Sequence, residues 1–221
     1  MTSRPVAADR PGKSPGELQT IYDDAAATFE RFDRLGHLLV GRYRRRLFGR
    51  ASGRVLDVAC GTGANFRYLP ADCEVVGVDL SPAMLAAADR EAARRGRDVT
   101  LQRADATSLP FSDDSFDFVV SSLSTCTFPD PVAVLREMAR VCAPDGYVLL
   151  LEHGRSSVGP IAALQDRFAD HHFESMGCRW NQEPVDVVRA AGLDVRAHER
   201  DLLGVLTSMV VAPDDAAGRV E

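Results

Sequence analysis

A strand-like apolar segment that leads directly into a glycine-rich turn is the feature that most constrains the fold of this chain. Residues 54–58 read Arg-Val-Leu-Asp-Val, and the following turn carries Gly61 and Gly63, whose backbone freedom lets the main chain lie against a ligand. A second apolar run, 75–78, closes on Asp79. A carboxylate at such a strand end can accept hydrogen bonds from both hydroxyls of a ribose. The segment therefore predicts a βαβ unit that binds a nucleoside.

The residues around the turn indicate which nucleoside is bound. A dinucleotide site places Gly or Ala three residues after the second glycine, so that the helix can pack closely and its amides can hold pyrophosphate. This chain has the bulky Phe66 at that position. Asp57, just before the turn, is also a poor neighbour for pyrophosphate and suits a ligand that carries ammonium and sulfonium charge. An NAD-dependent enzyme is thus the weaker interpretation, and a tight turn without a ligand is the structural alternative.

Strand and helix patterns alternate along the chain, which predicts a parallel sheet wound with helices. We expect residues 1–16, rich in Pro and Gly, to form a disordered tail. Residues 17–50 predict two amphipathic helices that bend near Gly36, whereas 153–180 show poor periodicity. The predicted strands are 54–58, 74–79, 99–103, 115–121, 146–152, 193–199 and 205–212. The predicted helices after the first two are 64–69, 82–95, 130–141 and 184–191.

Five short motifs follow one another along the chain: 56–63 (LDVACGTG), 78–85 (VDLSPAML), 103–106 (RADA), 109–117 (LPFSDDSFD) and 135–146 (LREMARVCAPDG). In this order they resemble the motifs of class I S-adenosylmethionine-dependent methyltransferases of the small-molecule type. The resemblance implies an α/β fold with a Rossmann-like, seven-stranded, mostly parallel sheet, helices on both faces and an antiparallel C-terminal hairpin. It also implies a helical lid at 17–50 and a methyltransferase domain at 51–221, with a substrate cap at 153–180.

The same resemblance implies S-adenosyl-L-methionine as the cofactor. Asp79 is expected to bind the ribose, with helix capping as the alternative role. Met84 is expected to lie on the adenine ring or in the core, and Asp105 to hold the adenine amino group. The expected cofactor-binding residues are Asp57, Ala59, Gly61, Gly63, Asp79, Leu80, Met84, Asp105, Ala106 and Ser121.

Two residues are candidates for a catalytic role. His153, at the end of the fifth predicted strand, can act as a general base or only shape the pocket. Tyr22 resembles the family's lid tyrosine, which closes over the sulfonium, although packing between helices is the alternative. The expected substrate-binding residues are Ser124, Phe128, His172, Phe173, Cys178 and Trp180. The spacing of His171, His172 and Cys178 matches no usual zinc pattern, so we predict that the chain uses no metal.

Missing motifs and the overall charge narrow the acceptor to a small molecule. An Asn- or Asp-Pro-Pro-aromatic turn, a Pro-Cys pair and an Asp-Asn pair are all absent, which disfavours methylation of DNA bases and magnesium-dependent methylation of catechols. The net charge of −6 also disfavours nucleic acid as a partner. Arg42 and the three arginines at 44–46 form a basic run, which is either a solvated face or a contact for an anionic headgroup.

Short similarities suggest the kind of acceptor. Residues 60–66, 152–153 and 177–178 are similar to segments of animal thiol S-methyltransferases. The general pattern also includes ubiquinone/menaquinone C-methyltransferases and phosphatidylethanolamine N-methyltransferases. A thiol is the first expectation, and N- or C-methylation of a lipid amine, quinone or natural product is the alternative. A non-catalytic protein that binds S-adenosylmethionine is the rival of another class.

Cysteine usage and hydropathy indicate the compartment. The five cysteines have no paired spacing, and the chain has no apolar run of about 18 residues. We therefore expect a cytoplasmic protein without stable membrane insertion. The oligomeric state stays open, a homodimer included.

Overall fold

The chain begins with one long helix, α1 (Pro15–Phe48), in a computed structural model that describes residues 12–213. A capping box starts this helix: the Ser14 hydroxyl accepts from the Glu17 amide at 3.3 Å, and the Glu17 carboxylate accepts from the Ser14 amide at 2.8 Å. A disordered tail was predicted for residues 1–16. Residues 1–11 of that segment lie outside the described residues. Its last two residues, Pro15 and Gly16, already belong to α1.

The helix α1 is continuous through Gly36, so the predicted division into two helices is wrong. A glycine inside a helix costs about 1 kcal/mol relative to alanine, which is too little to break a helix anchored by tertiary packing. Tyr43, Leu47 and Phe48 supply that packing, because all three are buried in the core. The C-terminal end of the segment predicted as a lid, 17–50, is therefore part of the core.

Seven strands form one sheet. In chain order they are β1 (Arg54–Val58), β2 (Glu74–Asp79), β3 (Val99–Arg103), β4 (Phe116–Ser122), β5 (Cys142–His153), β6 (Asp194–Asp201) and β7 (Leu206–Ala212). Their order across the sheet is β3-β2-β1-β4-β5-β7-β6. The strands β1 to β5 pair in parallel, and β7 is antiparallel to both of its neighbours, β5 and β6. The predicted Rossmann-like sheet with an antiparallel C-terminal hairpin is confirmed.

Helices cover both faces of this sheet. On one face, α3 (Pro131–Val141) and α5 (Pro184–Ala190) pack against side chains such as Leu56 and Leu150. On the other face, α1 and α2 (Pro82–Arg94) pack against side chains such as Val55 and Leu149. Consecutive strand residues point to opposite faces, which is why Val55 and Leu56 enter different cores.

Two segments differ from the sequence expectation. In place of a helix at 64–69, Phe66–Tyr68 form one 3₁₀ turn, because Pro70 favours an extended conformation at the preceding Leu69, whose ψ is 140°. Within 153–180, Gly159–Met176 form a helix, α4, whose buried residues number only three: Ala162, Gln165 and Ala169. So few buried positions leave little periodicity in the sequence. Across residues 12–213, no helix combines the length and apolar character needed to cross a bilayer.

Candidate active site

A cavity of about 420 Å³ lies at the carboxyl ends of β1, β2 and β4, beneath the N-terminal part of α1. Ligands of open α/β sheets bind at this edge. The wall includes ten of the residues that the sequence predicted for the site. They are Tyr22, Ala59, Gly61, Asp79, Leu80, Met84, Asp105, Ala106, Ser124 and Phe128.

The glycine turn after β1 leaves space for a ligand. Gly61 has a φ of 55°, in the left-handed region that favours glycine, and a Cβ there would meet no protein atom within 4 Å. Gly63 is needed for a different reason, because a Cβ there would lie 2.6 Å from the Phe66 ring. Gly61 therefore presents its backbone to the cavity, whereas Gly63 lies behind the wall.

Asp79 is held in place by the turn and by the start of α2. One of its carboxylate oxygens accepts from the Gly61 amide at 2.9 Å, and the other accepts from the Ser81 amide at 2.9 Å. Burial raises the pKa of Asp79, and these backbone hydrogen bonds partly oppose the rise. Each oxygen keeps a further lone pair for a ligand hydroxyl. The carboxylate is thus oriented as a ribose site requires.

The loop after β3 forms the neighbouring wall. The Asp105 carboxylate accepts from the amide and hydroxyl of Thr107, at 2.9 Å and 2.7 Å. Leu80 and Met84 line the cavity beside it, and Met84 is also buried, while its contact with an adenine ring stays a prediction. An apolar slot next to a fixed carboxylate suits an adenine ring with its amino group.

A buried polar network lies at the end of the cavity that Arg44 lines. Asp57 is fully buried, and its Oδ1 accepts from the Asn65 side-chain amide at 2.9 Å. Ser122 donates to the Asn65 side-chain oxygen at 2.9 Å and accepts from the Arg44 guanidinium at 3.2 Å. Among residues 12–213, no group hydrogen-bonds to Asp57 Oδ2, and burial raises the pKa of Asp57 to about 7. This end therefore offers a buried carboxylate and a buried guanidinium close together.

Two charged residues of this end were missed as site residues by the sequence reasoning. Arg44 lines the cavity and is 7% exposed, so the solvated-face interpretation of the basic run is wrong for it, although Arg42, Arg45 and Arg46 are exposed. Asp33 also lines the cavity and accepts from the Thr62 hydroxyl at 2.5 Å. The missed signal was periodicity, because Arg44 lies one helical turn after Val40 on the inward face.

Tyr22 reaches the cavity from α1. Its hydroxyl donates to the Met176 carbonyl at 3.4 Å, and its ring stacks on Phe29 with centroids 6.0 Å apart. Burial raises the pKa of Tyr22, with the nearby Cys126 and Cys178 adding to the rise. The phenol therefore stays protonated at neutral pH and can donate a hydrogen bond, but it cannot take up a proton.

Several predicted residues lie away from the cavity wall. Asp57, Gly63 and Ser121 are one layer behind it, where the Ser121 hydroxyl donates to the Val58 carbonyl at 2.6 Å. The residues His153, His172, Phe173, Cys178 and Trp180 form a second group, outside the cavity. His153 contacts two cysteine sulfurs there rather than the space in which an acceptor would sit. The structure thus gives no support to His153 as a general base.

Comparison with known proteins agrees with this geometry. Residues 56–150 match the family model described as a methyltransferase domain. The chain is 32% identical over 185 residues to demethylmenaquinone methyltransferase of Renibacterium salmoninarum, with 81% of this chain and 76% of that protein covered. It is 37% identical over 119 residues to phosphatidylethanolamine N-methyltransferase of Cereibacter sphaeroides, covering 53% and 59%. A methyltransferase structure from Thermotoga maritima has a TM-score of 0.69 at 21% identity, covering 89% of this chain and all of the other.

The chain belongs to the class I S-adenosylmethionine-dependent methyltransferases, and within them it is similar to the ubiquinone/menaquinone group. Its cofactor is S-adenosyl-L-methionine. The residues present fit that group, because Gly61 leaves space beside Asp79 and the free oxygen of Asp57 suits an environment of positive charge.

Proposed function

We propose that the chain methylates a carbon atom of an apolar acceptor of the hydroquinone type. The observation that carries this proposal is the composition of the cavity beyond the cofactor residues. That part of the wall is mainly apolar and consists of Leu18, Phe29, Phe32, Val40, Phe128 and Pro129. Flat aromatic acceptors can stack on such rings. A relative with 32% identity acts on demethylmenaquinone, as its name states, which agrees with an acceptor of this class.

The other acceptors considered above have less support. The sequence favoured a thiol as acceptor, but neither relative described above has a name that refers to a thiol. A lipid amine is supported by the phosphatidylethanolamine N-methyltransferase relative, whose match covers 53% of this chain. The aromatic rings in the apolar wall favour the flat hydroquinone over either alternative, and the panel of acceptors described below tests this preference.

The chain's own residues contribute binding, orientation and exclusion of water. The cofactor supplies an activated methyl group on its sulfonium. In the proposed arrangement Asp79 holds the ribose and Asp105 faces the adenine. Arg44 attracts the carboxylate of the amino-acid part, and Asp57 favours its ammonium group. Tyr22 keeps its proton and donates a hydrogen bond. Orientation in a dry cavity can supply most of the rate of a methyl displacement.

A panel of acceptors tests the proposed function. The full-length chain is incubated with S-adenosylmethionine and, separately, with a demethylated naphthohydroquinone, phosphatidylethanolamine vesicles and an alkyl thiol. We expect a mass increase of one methyl group on a ring carbon of the naphthohydroquinone. Methylation only of the amine or the thiol would contradict the acceptor class. Calorimetric cofactor binding without transfer to any acceptor would favour the non-catalytic alternative.

We also propose that the N-terminal part of α1, residues 15–36, acts as a lid over the cavity. Tyr22, Phe29 and Phe32 project from it into the cavity wall. Polar contacts hold it against α2: the Asp23 carboxylate accepts from the Ser81 hydroxyl at 2.5 Å, and Glu30 pairs with Arg90 and Arg94. A segment that covers the cavity by such contacts can exclude water during transfer and open for exchange of ligands.

A further inference from the structure

Two cysteines and a histidine from three separate parts of the chain meet behind the cavity wall. Cys126 lies in the loop after β4, His153 ends β5, and Cys178 follows α4. The two Sγ atoms are 3.2 Å apart, and His153 Nε2 is 3.2 Å from Cys126 Sγ and 3.3 Å from Cys178 Sγ. These three residues, here called the Cys-His cluster, thus place their donor atoms in a nearly equilateral triangle.

The triangle has the shape of one face of a tetrahedral metal site. Zn–S bonds of about 2.3 Å and Zn–N bonds of about 2.0–2.1 Å place neighbouring donors about 3.5–3.8 Å apart. The observed sides are shorter by roughly 0.2–0.6 Å, so small outward shifts would admit an ion. Both cysteines are free, and both are buried. Two thiolates with an imidazole form a donor set that zinc prefers.

The second ring nitrogen of His153 is available for a hydrogen bond of the kind found in metal sites. Nε2 faces the sulfurs, which leaves Nδ1 as the nitrogen available to the nearby Trp180 backbone. A metal-bound histidine usually donates its other ring N–H to a carbonyl or carboxylate, which fixes the tautomer and the ring orientation. The Trp180 carbonyl itself is fixed by the Gln165 side-chain amide at 3.3 Å.

A stacked ring pair lies beside the cluster, outside its triangle of donor atoms. The His172 imidazole stacks on the Trp180 ring, with centroids 4.4 Å apart and planes at 17°. The Trp180 indole N–H donates to the Gln165 carbonyl at 3.0 Å, which links Trp180 to α4. With three protein ligands, a tetrahedral zinc site keeps its fourth position for a water molecule or another donor.

We propose that Cys126, His153 and Cys178 bind one Zn²⁺ ion as its three protein ligands. The ion would fasten the loop that carries Thr127 and Phe128 of the cavity wall to the segment that follows α4. This inference opposes the prediction of no metal, which rested on spacing in the sequence, and metal titration distinguishes the two. Cys126 and Cys178 are 52 residues apart, so no local motif connects them.

Metal titration of the reduced, metal-free, full-length chain tests the site. We expect one Zn²⁺ per chain, bound tightly enough to compete with a chromophoric chelator. Co²⁺ in its place should give a strong near-ultraviolet thiolate-to-cobalt band and the visible bands of tetrahedral coordination. Cys178→Ser should lose stoichiometric zinc. Cys73→Ser is the matched control and should keep it, because Cys73 is equally buried at 7% exposure but lies outside the cluster.

The parent chain alone can overturn the proposal. Absence of stoichiometric zinc together with absence of the thiolate-to-cobalt band would exclude the site, even if Cys178→Ser fails to fold. A cobalt band that persists unchanged in a folded Cys178→Ser chain would place the metal elsewhere. A Cys126–Cys178 disulfide in the freshly purified chain, with no metal uptake after reduction, would assign the pair to redox chemistry and also overturn it. None of these measurements depends on the identity of the acceptor.

Discussion

At the scale of single residues, two charged side chains line the cofactor cavity and are held by different contacts. Asp79 lies beside the glycine turn, where backbone amides hold both of its oxygens. Arg44 comes from α1 and is linked through Ser122 and Asn65 to Asp57. A ribose and an amino-acid carboxylate would therefore be recognised by different side chains, and ligands that lack one of these groups can separate the two contributions.

Arg44→Met should weaken binding of S-adenosylhomocysteine but not of 5′-methylthioadenosine, which has no carboxylate. A hydrogen bond to a charged group contributes about 1.5–3 kcal/mol, so we expect calorimetry to show a loss of that size for the first ligand alone. Arg45→Met is the matched control, because Arg45 is exposed on the same helix. An equal loss for both ligands would show that Arg44 acts through the fold instead.

Asp79→Ala should weaken both ligands, because both carry the ribose. The expected loss is about 1.5–3 kcal/mol of binding free energy, the range for charge-assisted hydrogen bonds. Calorimetry measures it, and thermal unfolding checks that the variant is folded. Asp89→Ala, at an exposed position of α2, should bind normally. Unchanged affinity in a folded Asp79→Ala chain would remove Asp79 from the site.

At the scale of elements, α1 combines two environments within one helix. Its first part faces the cavity with aromatic side chains, and its last turns are buried in the core. Two interior glycines, Gly36 and Gly41, differ in their surroundings. A Cβ at Gly36 would meet nothing within 4 Å, whereas a Cβ at Gly41 would lie 2.4 Å from the Tyr68 hydroxyl oxygen.

Gly36→Ala and Gly41→Ala should therefore change stability in opposite directions. Alanine is favoured over glycine inside a helix by about 0.5–1 kcal/mol, and Gly36→Ala should raise the free energy of unfolding by that amount. Gly41→Ala gains the same helical preference but must displace Tyr68, so the free energy of unfolding should fall. Urea unfolding of both variants measures the effects. Destabilisation by Gly36→Ala would show that α1 needs flexibility at this point in order to pack.

At the scale of the whole molecule, buried carboxylates link stability to pH. Burial raises the pKa of Asp57 to about 7 in the folded chain, from 3.8. A group whose pKa is higher in the folded state binds its proton more tightly there, so its contribution to stability is present at low pH and is lost as pH rises towards 7. Ionised Asp57 thus opposes folding above neutrality.

Asp57→Asn should make the cofactor-free chain more stable relative to the parent as the pH rises from 5 to 8. The difference between the two chains should grow by at most about 2.7 kcal/mol, because about 2 of these pH units lie below the folded-state pKa of about 7 and each contributes about 1.36 kcal/mol. Denaturant unfolding at a series of pH values measures it. Asp98→Asn, at an exposed position outside the cavity wall, is the control and should follow the parent. A constant difference across the range would show that Asp57 does not titrate there.

The sequence predicted the sheet and the cofactor turn better than it predicted the rest of the site. In segments such as 54–63 and 75–79, neighbouring residues form both the sequence pattern and the structure, a strand followed by a turn. Their geometry can therefore be predicted from these residues alone. His153 was correctly predicted to lie at the end of a strand. Neighbouring residues of a strand point to opposite faces of the sheet, and the pairing register of β5 decides which of them faces the cavity. Arg44 and the Cys-His cluster depend on contacts between distant elements, which spacing along the chain does not reveal.

The continuity of α1 has a mechanical consequence for exchange of ligands. From Tyr43, which is fixed in the core, to Glu17 in the first turn, the helix extends about 39 Å at about 1.5 Å per residue. It can therefore act as a lever, and a tilt of about 10° at its anchored end would carry its tip through about 7 Å. Substitutions around Tyr43 and Phe48, remote from the transferred methyl group, would then alter the rate at which product leaves.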